Sequence, residues 1–246
     1  MHVRPAVPDR LVTLNGHALT LHFANAASAP SRPLLVFATG DAGMRRKDRD
    51  AYEHIASWGY PIVGFDSRDY VTHLGSGAEA TTTPSRLAED YLRIIAAARD
   101  ALQLAATRPV VLVGVSRGAG LSVVAAGELR SSLAGVVAVA LTQEEEYVRW
   151  YRRLRLPRNE PRRPVMVDVY EYLAQLQDLP LAVIQSTRDN YLPAAAARAL
   201  FGPDTTRRWF QAIDARNHSF RGARARLYAA TRSALAWIEE KGSGLR

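Results

Sequence analysis

The sequence contains no cysteine, which excludes a disulfide framework, a thiol nucleophile and any zinc or iron–sulfur site built on cysteine ligands. It also lacks a long hydrophobic run. The longest, Leu133–Leu141, has the length of a strand, whereas a membrane span needs roughly 18–20 residues. Met1–Arg10 carries charges and two prolines but no continuous apolar stretch, so it does not resemble a secretory signal. On the sequence shown we expect a cytoplasmic protein, or a periplasmic one if an export signal has been removed.

Lysine is almost absent. Only Lys47 and Lys241 contribute to the 32 basic residues, and with 24 acidic residues the formal net charge is +8. Arginine binds phosphates and carboxylates in bidentate fashion, so the excess is compatible with an anionic surface or substrate. GC-biased coding also explains it, and we favour that explanation. The arginines do not interleave with aromatic residues along a strand, and no zinc-finger or basic-zipper spacing occurs, so no nucleic-acid partner is predicted.

The composition and the order of elements predict one α/β domain over residues 1–246. Hydrophobic residues make up 48% of the chain and charged residues 23%, enough to bury a large core. Strands that alternate with helices imply parallel crossovers and a doubly wound, mostly parallel sheet. Leu11–Phe23 alternates about the turn Asn15-Gly16 and adds an N-terminal antiparallel hairpin. The other predicted strands are Leu34–Ala38, Pro61–Phe65, Val110–Val115, Leu133–Leu141, Leu181–Gln185 and Arg208–Ile213. The predicted helices are Asp48–Trp58, Pro84–Leu102, Leu121–Leu129, Asp168–Leu176, Pro193–Phe201 and Arg221–Ile238.

One segment interrupts this alternation. Gln143–Pro164 holds three consecutive glutamates, seven arginines and three prolines, with aromatic residues and leucines among them. Long irregular segments in compact domains often form lids over a site. We therefore predict a small lid over residues 143–176, and its arginines are compatible with peripheral contact to an anionic membrane.

The motif that predicts chemistry is Gly114-Val115-Ser116-Arg117-Gly118, a G-x-S-x-G pattern between a predicted buried strand and a predicted helix. A serine on such a sharp turn projects its hydroxyl above the sheet, and small flanking residues are needed because the chain packs tightly there. The alternative is an ordinary serine at the start of a helix. The setting favours Ser116 as a nucleophile.

A serine nucleophile needs a histidine base and an acid, which follow it in the chain in this architecture. Asp189 follows the strand Leu181–Gln185, and His218 follows the strand Arg208–Ile213. Asp189 is also a residue type that caps helices, and Glu144–Glu146 is a second location for the acid. We predict the catalytic residues Ser116, His218 and Asp189.

Backbone amides near Ser116 are the predicted oxyanion donors. The amide of Arg117 follows the nucleophile, and the amide of Asp41 lies in the glycine-containing loop after Leu34–Ala38.

Four further carboxylates are candidate ligands. Asp66 follows the predicted strand Pro61–Phe65, and for this residue we favour a role in capping a turn over a role in ligand binding. Glu144, Glu145 and Glu146 are candidate partners for a substrate ammonium group, against the alternative of a solvated helix start. No metal site and no cofactor are predicted.

Several segments resemble the VirJ/AcvB group of bacterial hydrolases within the α/β-hydrolase superfamily. The resemblance is carried by Gly40–Gly43, by Gly59–Ser67 with Tyr70, by Thr83-Pro84 with Glu89–Tyr91 and Ile94-Ile95, and by Gly114–Gly118. It implies hydrolysis of the aminoacyl ester of aminoacyl-phosphatidylglycerol through a Ser-His-Asp triad. Two alternatives stay open: a generic carboxylesterase or thioesterase for soluble acyl groups, and a binding module with the hydrolase fold and an idle site.

Overall fold

A computed structural model of the chain describes residues 7–14, 16–24, 32–74, 83–146, 166–176 and 178–243. The larger sheet has eight strands in the spatial order β1-β2-β4-β3-β5-β6-β9-β10, and a second sheet pairs β7 with β8. The strands are β1 (Arg10–Leu14), β2 (His17–Ala24), β3 (Leu34–Ala38), β4 (Ile62–Phe65), β5 (Val110–Val115), β6 (Gly135–Val139), β7 (Glu144–Glu146), β8 (Met166–Asp168), β9 (Leu181–Ser186) and β10 (Arg208–Ile213).

The predicted sheet is confirmed. β2 pairs antiparallel with both β1 and β4, whereas every pair from β4 through to β10 is parallel. The hairpin turn passes through Gly16 with φ of 80°, a left-handed conformation that glycine adopts without steric cost. The carboxyl ends of the parallel strands therefore lie along one edge of the sheet, where the loops that follow β3, β5, β9 and β10 meet.

Helices cover both faces of the sheet and divide the core in two. The α-helices are α1 (Arg46–Ala56), α2 (Ser67–Leu74), α3 (Pro84–Ala101), α4 (Arg117–Leu129), α5 (Ala194–Phe201) and α6 (Arg224–Ser243). Successive side chains of β5 point to opposite faces: Val110 and Leu112 pack in the core with α3 and α4, while Val111 and Val113 pack in the core with α1 and α6. A continuous apolar run suits this strand because both of its faces are buried.

One helix was not predicted from the sequence. The chain after β4 forms the short helix α2, in which the Asp66 carboxylate accepts the amide of Asp69 at 3.0 Å and caps the first turn. Asp66 thus has the capping role that the sequence favoured. The predicted helix Asp168–Leu176 is present as a 3-10 helix, Val169–Leu176, which follows β8 and packs on α4.

Most of the predicted lid lies outside the described residues. Residues 147–165 of the predicted 143–176 lid are not among the described residues. The described parts of this segment include β7, β8 and the 3-10 helix Val169–Leu176. The lid therefore stays a prediction. Within the described ranges, none of the helices is both long enough and apolar enough to cross a membrane.

Candidate active site

Ser116 lies on the turn between β5 and α4 in a strained conformation, with φ of 50° and ψ of −115°. A non-glycine residue in a sparsely populated region costs of order 1–3 kcal/mol and persists only where the surroundings fix it. Hydrogen bonds fix it here: the Ser116 amide donates to the carbonyl of Val139 at 2.8 Å, and the Ser116 carbonyl accepts the amide of Ala119 at 2.8 Å. The conformation turns the hydroxyl toward the carboxyl edge of the sheet.

The two glycines of the motif are required by close packing. A Cβ atom added at Gly114 would lie 2.2 Å from the carbonyl oxygen of Gly118, and one added at Gly118 would lie 2.2 Å from the carbonyl oxygen of Ala38. The Gly118 amide donates to the Thr39 carbonyl at 3.1 Å. The first turn of α4 thus rests directly on the end of β3, and this contact sets the position of Ser116.

The structure brings the three predicted catalytic side chains together. His218 Nε2 lies 2.8 Å from Ser116 Oγ, and His218 Nδ1 lies 2.7 Å from Asp189 Oδ2. Because a carboxylate only accepts, Nδ1 carries the ring proton, and Nε2 is left to accept the serine hydroxyl. This is the tautomer in which a histidine can remove a proton from serine.

Asp189 is held by several donors besides the histidine. Its side chain is fully buried, at 0% exposure. Oδ1 accepts the amides of Tyr191 at 2.8 Å and Leu192 at 3.3 Å, and Oδ2 also accepts Gln185 Nε2 at 3.1 Å. Donors of this kind stabilise a buried carboxylate in its charged form. The alternative that Asp189 caps the following helix is wrong, since α5 begins at Ala194 after Pro193 and has no side-chain cap.

The two residues predicted to supply oxyanion donors lie side by side next to the nucleophile. Asp41 follows β3 and Arg117 is the first residue of α4, and an ion pair of 2.9 Å joins Arg117 Nε to Asp41 Oδ1. A Cβ atom at Gly40 would lie 3.5 Å from that of Ser116, so this loop closely approaches the nucleophile. The role of the Asp41 and Arg117 amides as donors stays a prediction.

Ser116 and His218 open into a cavity of about 580 Å³. Apolar side chains of Phe37, Ile55 and Phe220 form part of its wall, as in many sites for small organic molecules. A larger cavity of about 1090 Å³ lies at the opposite edge of the sheet, beside residues that precede the parallel strands, including Pro33, Pro109 and Pro180. It has no contact with the nucleophile.

The fold is similar to those of several solved structures. Est1E from Butyrivibrio proteoclasticus aligns with a TM-score of 0.66 at 12% identity, covering 94% of this chain and 98% of that one. An alpha-beta serine hydrolase homologue from Coxiella burnetii aligns with a TM-score of 0.64 at 16% identity, covering 95% and 99%. The esterase domain of a Rhodothermus marinus protein aligns with a TM-score of 0.63 at 16% identity, covering 95% and 98%. At these identities the likeness shows the fold alone.

Two comparisons used the sequence itself. Comparison with the curated proteins gave no match. Residues 33–148 match the family model described as VirJ, bacterial virulence protein. The chain therefore has the α/β-hydrolase fold, and its residues 33–148 are similar to the VirJ family. The match includes Asp41, Ser116 and Arg117, whereas Asp189 and His218 lie beyond it.

Three features of the site were not predicted from the sequence. Asp48, in the first turn of α1, lines the cavity and accepts the Gly40 amide at 2.7 Å. Burial raises the pKa of its carboxyl group above the ordinary value of 3.8, and the Gly40 hydrogen bond opposes this effect. The ring of Tyr191 lies 4.8 Å from that of His218, nearly at right angles. The third feature is the run of cations Arg45–Lys47 at the cavity. No sequence motif identifies these residues. Only their positions beside the nucleophile in the folded chain connect them with the site.

The predicted ammonium partners are described only in part. Glu144–Glu146 form β7, not the start of a helix, and pair with Asp168, Val167 and Met166 of β8. Their side chains lie outside the described part of the structure, so the predicted role stays a prediction. Among the described residues, no group of three or more histidine, cysteine, aspartate or glutamate side chains is placed to hold a metal ion.

Proposed function

We propose that this α/β-hydrolase cleaves carboxylic esters through an acyl-enzyme on Ser116. The observation that carries the proposal is the pair of hydrogen bonds that joins Ser116 Oγ to His218 and His218 to Asp189. As Oγ bonds to the ester carbonyl carbon, its proton passes to His218 Nε2, and the carbonyl oxygen becomes an oxyanion that the amides of Asp41 and Arg117 stabilise. The tetrahedral intermediate then collapses, the C–O bond to the alcohol breaks, and His218 returns the proton to the leaving oxygen.

Water completes the cycle. His218 removes a proton from a water molecule that attacks the acyl-enzyme, and the same proton then returns to Ser116 as the acid leaves. Asp189 stabilises the imidazolium in both halves of the reaction. No step needs a cofactor.

Replacement of the nucleophile tests the chemistry. Because the three residues act as a unit, we expect Ser116→Ala to lower turnover of p-nitrophenyl esters by about four to six orders of magnitude. The matched control is Ser219→Ala, which removes an exposed serine hydroxyl that lines the same cavity. If Ser116→Ala keeps more than a tenth of the wild-type activity, the assignment is wrong.

Covalent labelling separates an enzyme from a binding module with the same fold. A fluorophosphonate reacts with an activated serine and spares an ordinary one. We expect the probe to label the wild-type protein and Ser219→Ala at residue 116, and not to label Ser116→Ala. An unlabelled wild-type protein would favour the idle-site alternative.

For the substrate, we propose the aminoacyl ester of aminoacyl-phosphatidylglycerol. The support is the VirJ-type match, which covers the segments on which the resemblance rests. The test compares hydrolysis of vesicles that contain this lipid with hydrolysis of short p-nitrophenyl esters, and flotation of the same vesicles tests the proposed contact with an anionic membrane. Activity on the soluble esters without activity on the lipid would favour a generic esterase or thioesterase.

A further inference from the structure

The charges around the catalytic cavity are unevenly distributed. Among the residues that the structure describes, the cavity is lined by the cations Arg45, Arg46, Lys47 and Arg224 and by two carboxylates, Asp41 and Asp48. The Asp41 carboxylate pairs with Arg117 at 2.9 Å, and Arg224 pairs with Asp50 at 2.9 Å. Arg45, Arg46 and Lys47 are exposed, and none of them forms an ion pair within the ranges that the structure describes. We call these three residues the cationic rim.

Asp48 interacts with Lys47 but neutralises the cationic rim only in part. Its carboxylate is directed to the Gly40 amide at 2.7 Å, and burial raises its pKa. It therefore offers at most one negative charge to three cations. Among the described residues, positive charge is therefore in excess at the entrance of the cavity that holds Ser116 and His218.

The stability of α1 does not explain the cationic rim. Arg45 is the N-cap residue and makes no side-chain cap, and Arg46 and Lys47 begin the helix. Cations are unfavourable at this end because it carries the positive pole of the helix dipole. Arg46 also has φ of 40°, a left-handed conformation that is unusual for a residue other than glycine. Three like charges in these positions repel one another, and a bound anion would relieve that repulsion.

We propose that the cationic rim selects esters that carry a carboxylate or phosphate group near the scissile bond. The proposal rests on the proposed ester hydrolysis at Ser116 and adds a substrate class to it. Two guanidinium groups and one ammonium group provide donors that match the oxygen atoms of either anion. A charged group held at the entrance would orient the ester with its carbonyl toward Ser116.

The test uses two pairs of substrates that differ in charge. Mono-p-nitrophenyl glutarate is compared with p-nitrophenyl hexanoate, which places a carboxylate on the acyl side of one of the two esters. Butyryl glycerol phosphate is compared with butyryl glycerol, which places a phosphate on the alcohol side. The quantity measured for each pair is the ratio of kcat/KM for the charged ester to that for the neutral ester. The pair with the larger ratio identifies the side of the substrate that the rim contacts.

The variant replaces all three rim residues: Arg45→Gln, Arg46→Gln and Lys47→Gln. We expect it to lower the ratio at least tenfold in one pair or both. The wild-type ratio should also fall as salt is raised, because exposed charges are screened, whereas the ratio of the variant should respond little. A matched control, Arg68→Gln with Arg93→Gln and Arg232→Gln, removes the same charge from exposed residues that do not line the cavity. It should keep the wild-type ratio.

The outcomes separate this proposal from the proposed function. If the rim variant and the control have the same ratios as the wild type in both pairs, or if both lower them equally, selection by the rim is refuted while hydrolysis at Ser116 stands. If Ser116→Ala still hydrolyses the neutral esters, the proposed function itself fails. Circular dichroism of each variant establishes that the comparison is made between folded proteins.

Discussion

Replacement of Asp189 by asparagine is a sharp test of the hydrogen-bond arrangement at the site. The carboxylate accepts from four donors: His218 Nδ1 at 2.7 Å, Gln185 Nε2 at 3.1 Å, and the amides of Tyr191 at 2.8 Å and Leu192 at 3.3 Å. An asparagine side chain has one oxygen and one NH₂ group. In either orientation, its NH₂ group faces N–H groups that donate to a carboxylate oxygen in the wild-type protein, so donor faces donor.

The consequence for catalysis follows from the tautomer of His218. If the new NH₂ group faces the ring, Nδ1 must accept, the ring proton moves to Nε2, and the histidine loses its ability to take the proton of Ser116. If the oxygen faces the ring, the NH₂ group meets the backbone amides of Tyr191 and Leu192. We expect kcat to fall about 10⁴-fold, equivalent to about 5 kcal/mol of transition-state stabilisation. Loss of the buried charge and its hydrogen bonds should lower the free energy of unfolding by about 2–4 kcal/mol.

The assay is hydrolysis of a neutral p-nitrophenyl ester, with urea unfolding of the same samples. Asp214→Asn is the matched control: Asp214 directly follows β10, its side chain is 66% exposed and it pairs with Arg188 at 2.9 Å, so kcat should change less than twofold. Nitrogen NMR of the His218 ring reports the tautomer directly. A proton on Nε2 would show that the NH₂ group faces the ring, and a proton on Nδ1 would show that the oxygen does. A folded Asp189→Asn protein with more than a tenth of the wild-type kcat would refute the reasoning.

Two further predictions concern stability. Gly118→Ala should lower the free energy of unfolding by about 1–3 kcal/mol or more, because the added methyl group meets the Ala38 carbonyl oxygen at 2.2 Å. In the same helix, Gly127→Ala should be neutral or stabilising by up to about 1 kcal/mol, since its nearest neighbour is a flexible glutamine side chain and alanine is the better helix former; urea unfolding that ranked the two variants in the opposite order would contradict this packing argument. Asp48→Asn should keep the Gly40 contact and become more stable relative to wild type as pH rises from 4 to 8. Burial raises the pKa of Asp48 in the folded protein, so wild-type stability falls as the pH passes through that pKa; a constant difference between the two proteins across this range would disprove it.

Most elements of the fold were predictable because their signals are local. The strand β5 is a continuous apolar run, and Thr83 with Pro84 marks the start of α3, where the Thr83 hydroxyl accepts the Arg86 amide at 3.2 Å. The helix α2 was missed because its eight residues show no extended apolar stripe. Its start depends on Asp66, whose capping role a sequence alone does not distinguish from ligand binding.

Some residues of the candidate site were likewise predictable from the sequence, and others were not. Ser116 was predicted from a motif and its setting, and Asp189 and His218 from their order after buried strands. Asp48, Tyr191 and the cationic rim were not predicted, because they lie near the nucleophile only after β3, β5 and the loops beyond β9 and β10 have been brought to one edge.

The sequence by itself determined the α/β fold class, the glycine-flanked turn and the three residue types needed to activate a serine, because each depends on neighbours along the chain. Only the tertiary structure decided which polar groups surround the cavity, which tautomer His218 adopts and which charges remain unpaired. Those properties depend on distances between segments remote in sequence: Ser116 and His218 are 102 positions apart, yet their side chains lie 2.8 Å from each other.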